Sequence, residues 1–115
     1  MKILITGSMG FISRNLIEKT LLDDERVNKI YGIDHIDSFI NSNKYHHYKY
    51  DLSENILDSL PNELFDVDYI VHTAGIPSPK FYKIEPFKTM FLNYDVTRLL
   101  LERMRNDTHF IYFSS

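Results

Sequence analysis

The stretch that most constrains this chain is TGSMGFIS, residues 6–13, set between a short apolar run and a helical pattern. KILI, residues 2–5, reads as a strand ending at Thr6-Gly7. Phe11, Ile12, Leu16, Ile17, Leu21 and Leu22 then recur at helical spacing and predict a helix from 10 to 22, ended by Asp23-Asp24. A glycine-bearing turn between a strand and a helix suits a phosphate. Gly7 permits the tight turn. Gly10 lets backbone approach the anion, because a side chain there would fill the anion's space. The free N–H groups of the first helical turn face the same point. A third small residue in such a turn lets helix pack closely on strand, and here it is Ser13. Its extra atoms threaten packing more than phosphate contact, and its hydroxyl is expected to bond back to a carbonyl one turn earlier.

The rest of the chain alternates. VNKIYGID (27–34) predicts a second strand, 35–44 a polar loop, and HHYKY (46–50) a weaker third strand at an edge. Ser53 to Leu60 reads as a short helix capped by Ser53 and broken by Pro61. DVDYIVHTAG (66–75) is a strong fourth strand. Three prolines make 76–86 a loop or irregular helix. Phe87 to Met104 carries the longest helical pattern, and HFIYF (109–113) is a fifth strand. Strands alternating with helical segments make parallel crossovers. The expected fold is a doubly wound α/β sheet, Rossmann-like, in the order 3-2-1-4-5 and truncated after strand five.

Composition removes several classes of function. The chain has 115 residues, enough for one domain with a real core. Its net charge is -3, and its most basic stretch, NSNKYHHYKY (41–50), holds only two lysines, so there is no footprint for nucleic acid. With no cysteine, thiolate and disulfide chemistry are excluded. No apolar run has the length of a membrane span or signal peptide, which places the chain in the cytoplasm by expectation. No metal site is assigned.

Asp34 ends the second strand, 24 residues after Gly10. An acid there can accept both adenosine ribose hydroxyls and would repel a 2′-phosphate, which favours NAD over NADP.

Taken together, these motifs resemble those of the extended short-chain dehydrogenase/reductases, the NAD-dependent nucleotide-sugar epimerases, dehydratases and decarboxylases. TGSMGFIS is similar to their TGxxGFIG with the last glycine changed, and YGID to their second-strand acid. The resemblance implies that Gly7, Ser8, Met9, Gly10, Phe11 and Ile12 surround the pyrophosphate. YDL (50–52) stands where the family has an Asp-Leu pair, which implies Asp51 on the adenine amino group and the Leu52 backbone near the ring. VHTAG (71–75) is similar to HLAA or HLAG with Thr73 in place of leucine; Thr73, Ala74 and Gly75 would line the inner ribose and phosphate. His72 reads as a core histidine at a strand end, not a catalyst. Thr89 and Asn93 fall where many members read T and N, implying Asn93 near the nicotinamide, while Thr97 and Arg98 replace the usual Gly-Thr. Ile76 to Tyr82 carries a hint of UDP-glucuronate decarboxylases, although Lys80 and Lys83 read equally as solvated loop charges. FIYFSS (110–115) resembles the fifth strand entering SS[ST]xxxYG, implying Ser114 close to the nicotinamide.

The family's catalytic YxxxK lies beyond the fifth strand. Tyr45 and Lys49 have that spacing but lie in or before the third strand, where i and i+4 stand about 13 Å apart. No catalytic residue is therefore assigned. The leading expectation is the NAD-binding portion, residues 1–115, of a nucleotide-sugar enzyme, with the substrate domain absent and no activity alone. A nucleotide sugar would be a partner only of a full-length form. The alternatives are a stand-alone NAD-binding or regulatory module, a small complete enzyme using Tyr82 or His72, and a different α/β function. The apolar fifth strand is expected to lie exposed and to favour self-association.

Overall fold

Each apolar run expected to be a strand pairs in parallel with a neighbour, giving one five-stranded sheet in the order β3-β2-β1-β4-β5. The computed structural model describes residues 1–54, 59–74, 87 and 90–113. The strands are β1 (Lys2–Thr6), β2 (Lys29–Asp34), β3 (Tyr45–Lys49), β4 (Tyr69–His72) and β5 (His109–Tyr112). This is the doubly wound arrangement that the alternation of elements implies.

Alternation along each strand feeds two cores. Leu4, Tyr31, Ile33 and Ile70 point to one face, where they meet Leu64, Val67, Val96 and Leu100. Ile3, Ile5, Ile30, Tyr45 and Val71 point to the other and meet Met9, Ile17 and Val27. The central strands β1, β2 and β4 are buried on both sides, as the inner strands of a parallel sheet are. Helix α1 (Phe11–Leu16) leads into a turn whose Ile17 and Leu21 join the second core, and α2 (Val96–Arg103) supplies Val96 and Leu100 to the first.

Several boundaries differ from the sequence reading. The helix expected over 10–22 is α-helical only to Leu16 and continues as a wider π-type turn, Ile17–Leu21, through a Leu22 N–H to Ile17 carbonyl bond of 3.0 Å. The Lys44 ammonium donates to the Leu22 and Asp24 carbonyls at 2.9 and 3.0 Å and so closes that end. The fourth strand is shorter than 66–75, because Asn62–Phe65 forms a tight 3-10 turn that delivers Leu64 and Phe65 to the core. Ser53 lies inside a single 3-10 turn, Leu52–Glu54, where Asp51 accepts bonds from its N–H at 2.9 Å and its hydroxyl at 2.6 Å; residues 55–58 of the helix expected from Ser53 to Leu60 lie outside the described residues. The long helical pattern appears as a π-type turn, Phe91–Asp95, leading into α2. Among the described residues, no helix is long and apolar enough to cross a membrane.

Candidate functional site

The glycine loop lies at the C-terminal ends of the strands, beside β1 between its neighbours β2 and β4, where an open parallel sheet takes its ligands. Gly7 has φ of 66°, a left-handed conformation. A Cβ there would lie 2.7 Å from Thr73 Oγ1 and 3.0 Å from the Ala74 nitrogen, so strand β4 also demands a glycine at this position. Gly10 is different. A Cβ on it would meet only the Gly7 carbonyl oxygen, at 3.2 Å, and otherwise enter open space. That space is the room an anion needs. Helix α1 starts here with no side-chain cap and no acid in its first turn. Nothing on the helix itself therefore offsets the partial positive charge of its first N–H groups.

The loop is tied down on both flanks. Toward β2, the Gly7 and Ser8 N–H groups donate to the Ile33 carbonyl at 2.8 and 3.2 Å. The Met9 N–H donates to Asp34 Oδ2 at 2.9 Å. The buried Asp34 carboxylate also accepts the Ile36 N–H at 3.3 Å on Oδ1, with His35 Nδ1 3.1 Å away. Asp34 thus ties the loop to the end of β2. Toward β4, the Thr73 hydroxyl donates to the Thr6 carbonyl at 2.6 Å and stands 3.2 Å from that of Gly7.

Ser13 corrects the sequence reading. Its hydroxyl does not turn back to its own helix; it lies 2.7 Å from Thr73 Oγ1, and the side chain is buried. The two departures from the family motifs, serine for glycine at 13 and threonine for leucine at 73, touch each other. The helix is joined there to the segment after β4 by a hydroxyl pair, where the sequence reading had the serine looking to its own helix.

Of the remaining expected residues, Phe11 and Ile12 are exposed at the start of α1 and Ser8 and Met9 are buried. Leu52 belongs to the first core. Ala74 is half-buried beside Gly7. Asn93 lines a groove of about 300 Å³ with Tyr94, Thr97, Arg98, Leu101 and Tyr112. Gly75, Thr89, Ser114, Tyr82, Lys80 and Lys83 lie outside the described residues. His72 is fully buried; Nδ1 is 2.5 Å from the Thr6 hydroxyl, and Nε2 has no hydrogen-bond partner among the described residues. Burial pushes its pKa down to about 4, which keeps the ring neutral and fits the core reading.

Sequence reasoning missed Tyr45 and Gly32. Tyr45 reaches from β3 across β2 to place its hydroxyl 2.8 Å from Ser8 Oγ, while Lys49 pairs with Asp37 at 3.2 Å. The two therefore serve separate purposes. The available signal was Gly32 in mid-strand, a mark of close approach by another group.

A family model described as the NAD dependent epimerase/dehydratase family matches residues 3–115. Among curated proteins, UDP-glucuronic acid decarboxylase 5 of Arabidopsis thaliana is 32% identical over 100 residues, covering 81% of this chain and 27% of its own length. UDP-glucuronic acid decarboxylase 3 of the same plant is 32% identical over 101 residues, with the same coverage. The chain thus spans about a quarter of the length of these relatives. Among solved structures, the Bordetella bronchiseptica enzyme WbmF, in complex with NAD+, superposes with a TM-score of 0.75 at 20% identity, over 96% of this chain and 35% of that one. UDP-glucose 4-epimerase from Thermotoga maritima superposes with a TM-score of 0.72 at 22% identity, over 97% and 37%. At these identities the superpositions speak for the fold.

Proposed function

This chain belongs to the NAD dependent epimerase/dehydratase family, and from that premise we propose that residues 1–115 are the NAD-binding portion of a nucleotide-sugar-converting enzyme. The observation that carries the reading is the glycine loop. Gly7 is held left-handed under β4, Gly10 faces open space, and the uncapped start of α1 points at that space. A pyrophosphate would sit there, and Asp34 would meet the adenosine ribose while keeping its bond to the Met9 N–H. Asp51, Leu52, Thr73, Ala74, Gly75, Asn93 and Ser114 complete the proposed cofactor contacts. Bound NAD supplies a hydride acceptor, and the residues named here hold and orient it.

The substrate would be a UDP-sugar. UDP-glucuronic acid is the first to test, because the decarboxylases of A. thaliana align over 100 residues. The proton-transferring pair and the sugar-binding part are proposed to lie outside residues 1–115. Those residues alone should then bind cofactor without turning over UDP-glucuronic acid.

Calorimetric titration tests this directly. NAD is expected to bind and NADP to bind more weakly, since the Asp34 carboxylate repels a 2′-phosphate. No heat from either at millimolar concentration would overturn the cofactor assignment; tighter NADP binding would overturn the role of Asp34.

A further inference from the structure

Ser8, inside the glycine loop, is fully buried, and its hydroxyl has one neighbour that explains it: Tyr45 Oη at 2.8 Å. Tyr45 comes from β3, one strand beyond β2. It crosses β2 over Gly32, where a Cβ would lie 2.0 Å from its hydroxyl. The same oxygen lies 2.7 Å from His47 Nδ1, and His47 Nε2 lies 2.9 Å from the Ile36 carbonyl oxygen. A carbonyl can only accept, so Nε2 carries a proton. The Tyr45 hydroxyl donates to Ser8 Oγ and also meets Ser38, so Ser8, Ser38 and His47 together hold its oxygen at the loop.

We propose that Tyr45 and His47 are positioning residues of the glycine loop, holding the buried Ser8 from β3 and so fixing the loop backbone that takes the pyrophosphate. This rests on the cofactor reading above. Burial raises the Tyr45 pKa to about 12, so its hydroxyl keeps its proton at working pH. Other charged groups stand at this corner. Asp34 ends β2 with His35 beside it, Lys49 on β3 pairs with Asp37, and Arg14 of α1 lies 5.9 Å from the Phe39 ring centre.

Amide NMR of the 1–115 chain tests this without cofactor. Tyr45→Phe keeps the ring and removes the hydroxyl; the Ser8 and Met9 amide shifts should move, and NAD affinity should fall about tenfold. His47→Ala leaves the Tyr45 ring in place and should move the same amides by a smaller amount. His46→Asn, at the next position of β3, should leave them unchanged. Ser8 and Met9 amides that stay unmoved in Tyr45→Phe, or that move as far in His46→Asn, overturn the proposal. If the wild-type chain binds no NAD, the cofactor reading fails, and the amide shifts still decide the positioning role.

Discussion

The two edge strands of the sheet, β3 and β5, occupy equivalent places and end up unlike. Both are short and parallel to their one neighbour. On β3, Tyr45 is 7% exposed because it crosses β2 at Gly32 and ends in the glycine loop. Tyr48 donates to Glu63 at 2.9 Å, and Lys49 pairs with Asp37. On β5, Ile111 and Tyr112 are each 43% exposed, and Phe113 follows them into solvent. Charge and a polar crossing finish the first edge, while the second presents apolar side chains. Burial at an edge therefore depends on whether a strand's side chains have somewhere to cross to, and a single glycine in the neighbouring strand provides that.

Truncating a tyrosine on each edge sharpens the contrast most. Tyr45→Ala should cost about 4 kcal/mol in denaturant-induced unfolding, as for other large buried rings. Tyr112→Ala should cost about 1 kcal/mol, because little of that ring is lost from a core. Equal costs would break the comparison.

His72, at the end of β4 between these flanks, gives the next effect. The unfolded chain takes up a proton at this ring below about pH 6.5, but the folded chain does so only near pH 4. In that window the unfolded state holds more protons, so stability falls on acidification, by about 3 kcal/mol in all. Urea melts of the wild type and His72→Asn between pH 7 and 4 should show this slope in the first and a shallower one in the second.

The Ser13–Thr73 pair comes third. Ser13→Ala and Thr73→Val should each cost about 1 kcal/mol, and the double variant clearly less than their sum. Strict additivity would mean that the hydroxyls do not act together. The smallest expected effect on stability is at the open edge: Ile111→Lys should change it by less than about 0.5 kcal/mol. We propose that the wild-type chain self-associates through β5, so sedimentation should show concentration-dependent association that Ile111→Lys removes.

Strand order, the glycine loop and the placing of Asp34 at the end of β2 were all legible in the sequence, because each rests on local pattern. Period and punctuation reveal KILI, YGID and YIVH as strands without knowledge of their partners. The Tyr45–Ser8 contact was not legible. It depends on the register that sets Gly32 against His47 and Ile30 against Tyr45, and the weak alternation of YHHYK does not fix that register. Ser13 illustrates the same limit. Its expected partner was one helical turn away, and its actual partner is 60 residues away on β4.

That bond has a consequence for how the chain can change over time. A return to glycine at 13 would leave the Thr73 hydroxyl with its carbonyl contacts but no second hydroxyl. A leucine at 73 would strand the Ser13 hydroxyl in a buried place. Either step alone passes through a less stable intermediate, so the two positions are bound to one history: sequences that keep this loop should carry both hydroxyls or neither.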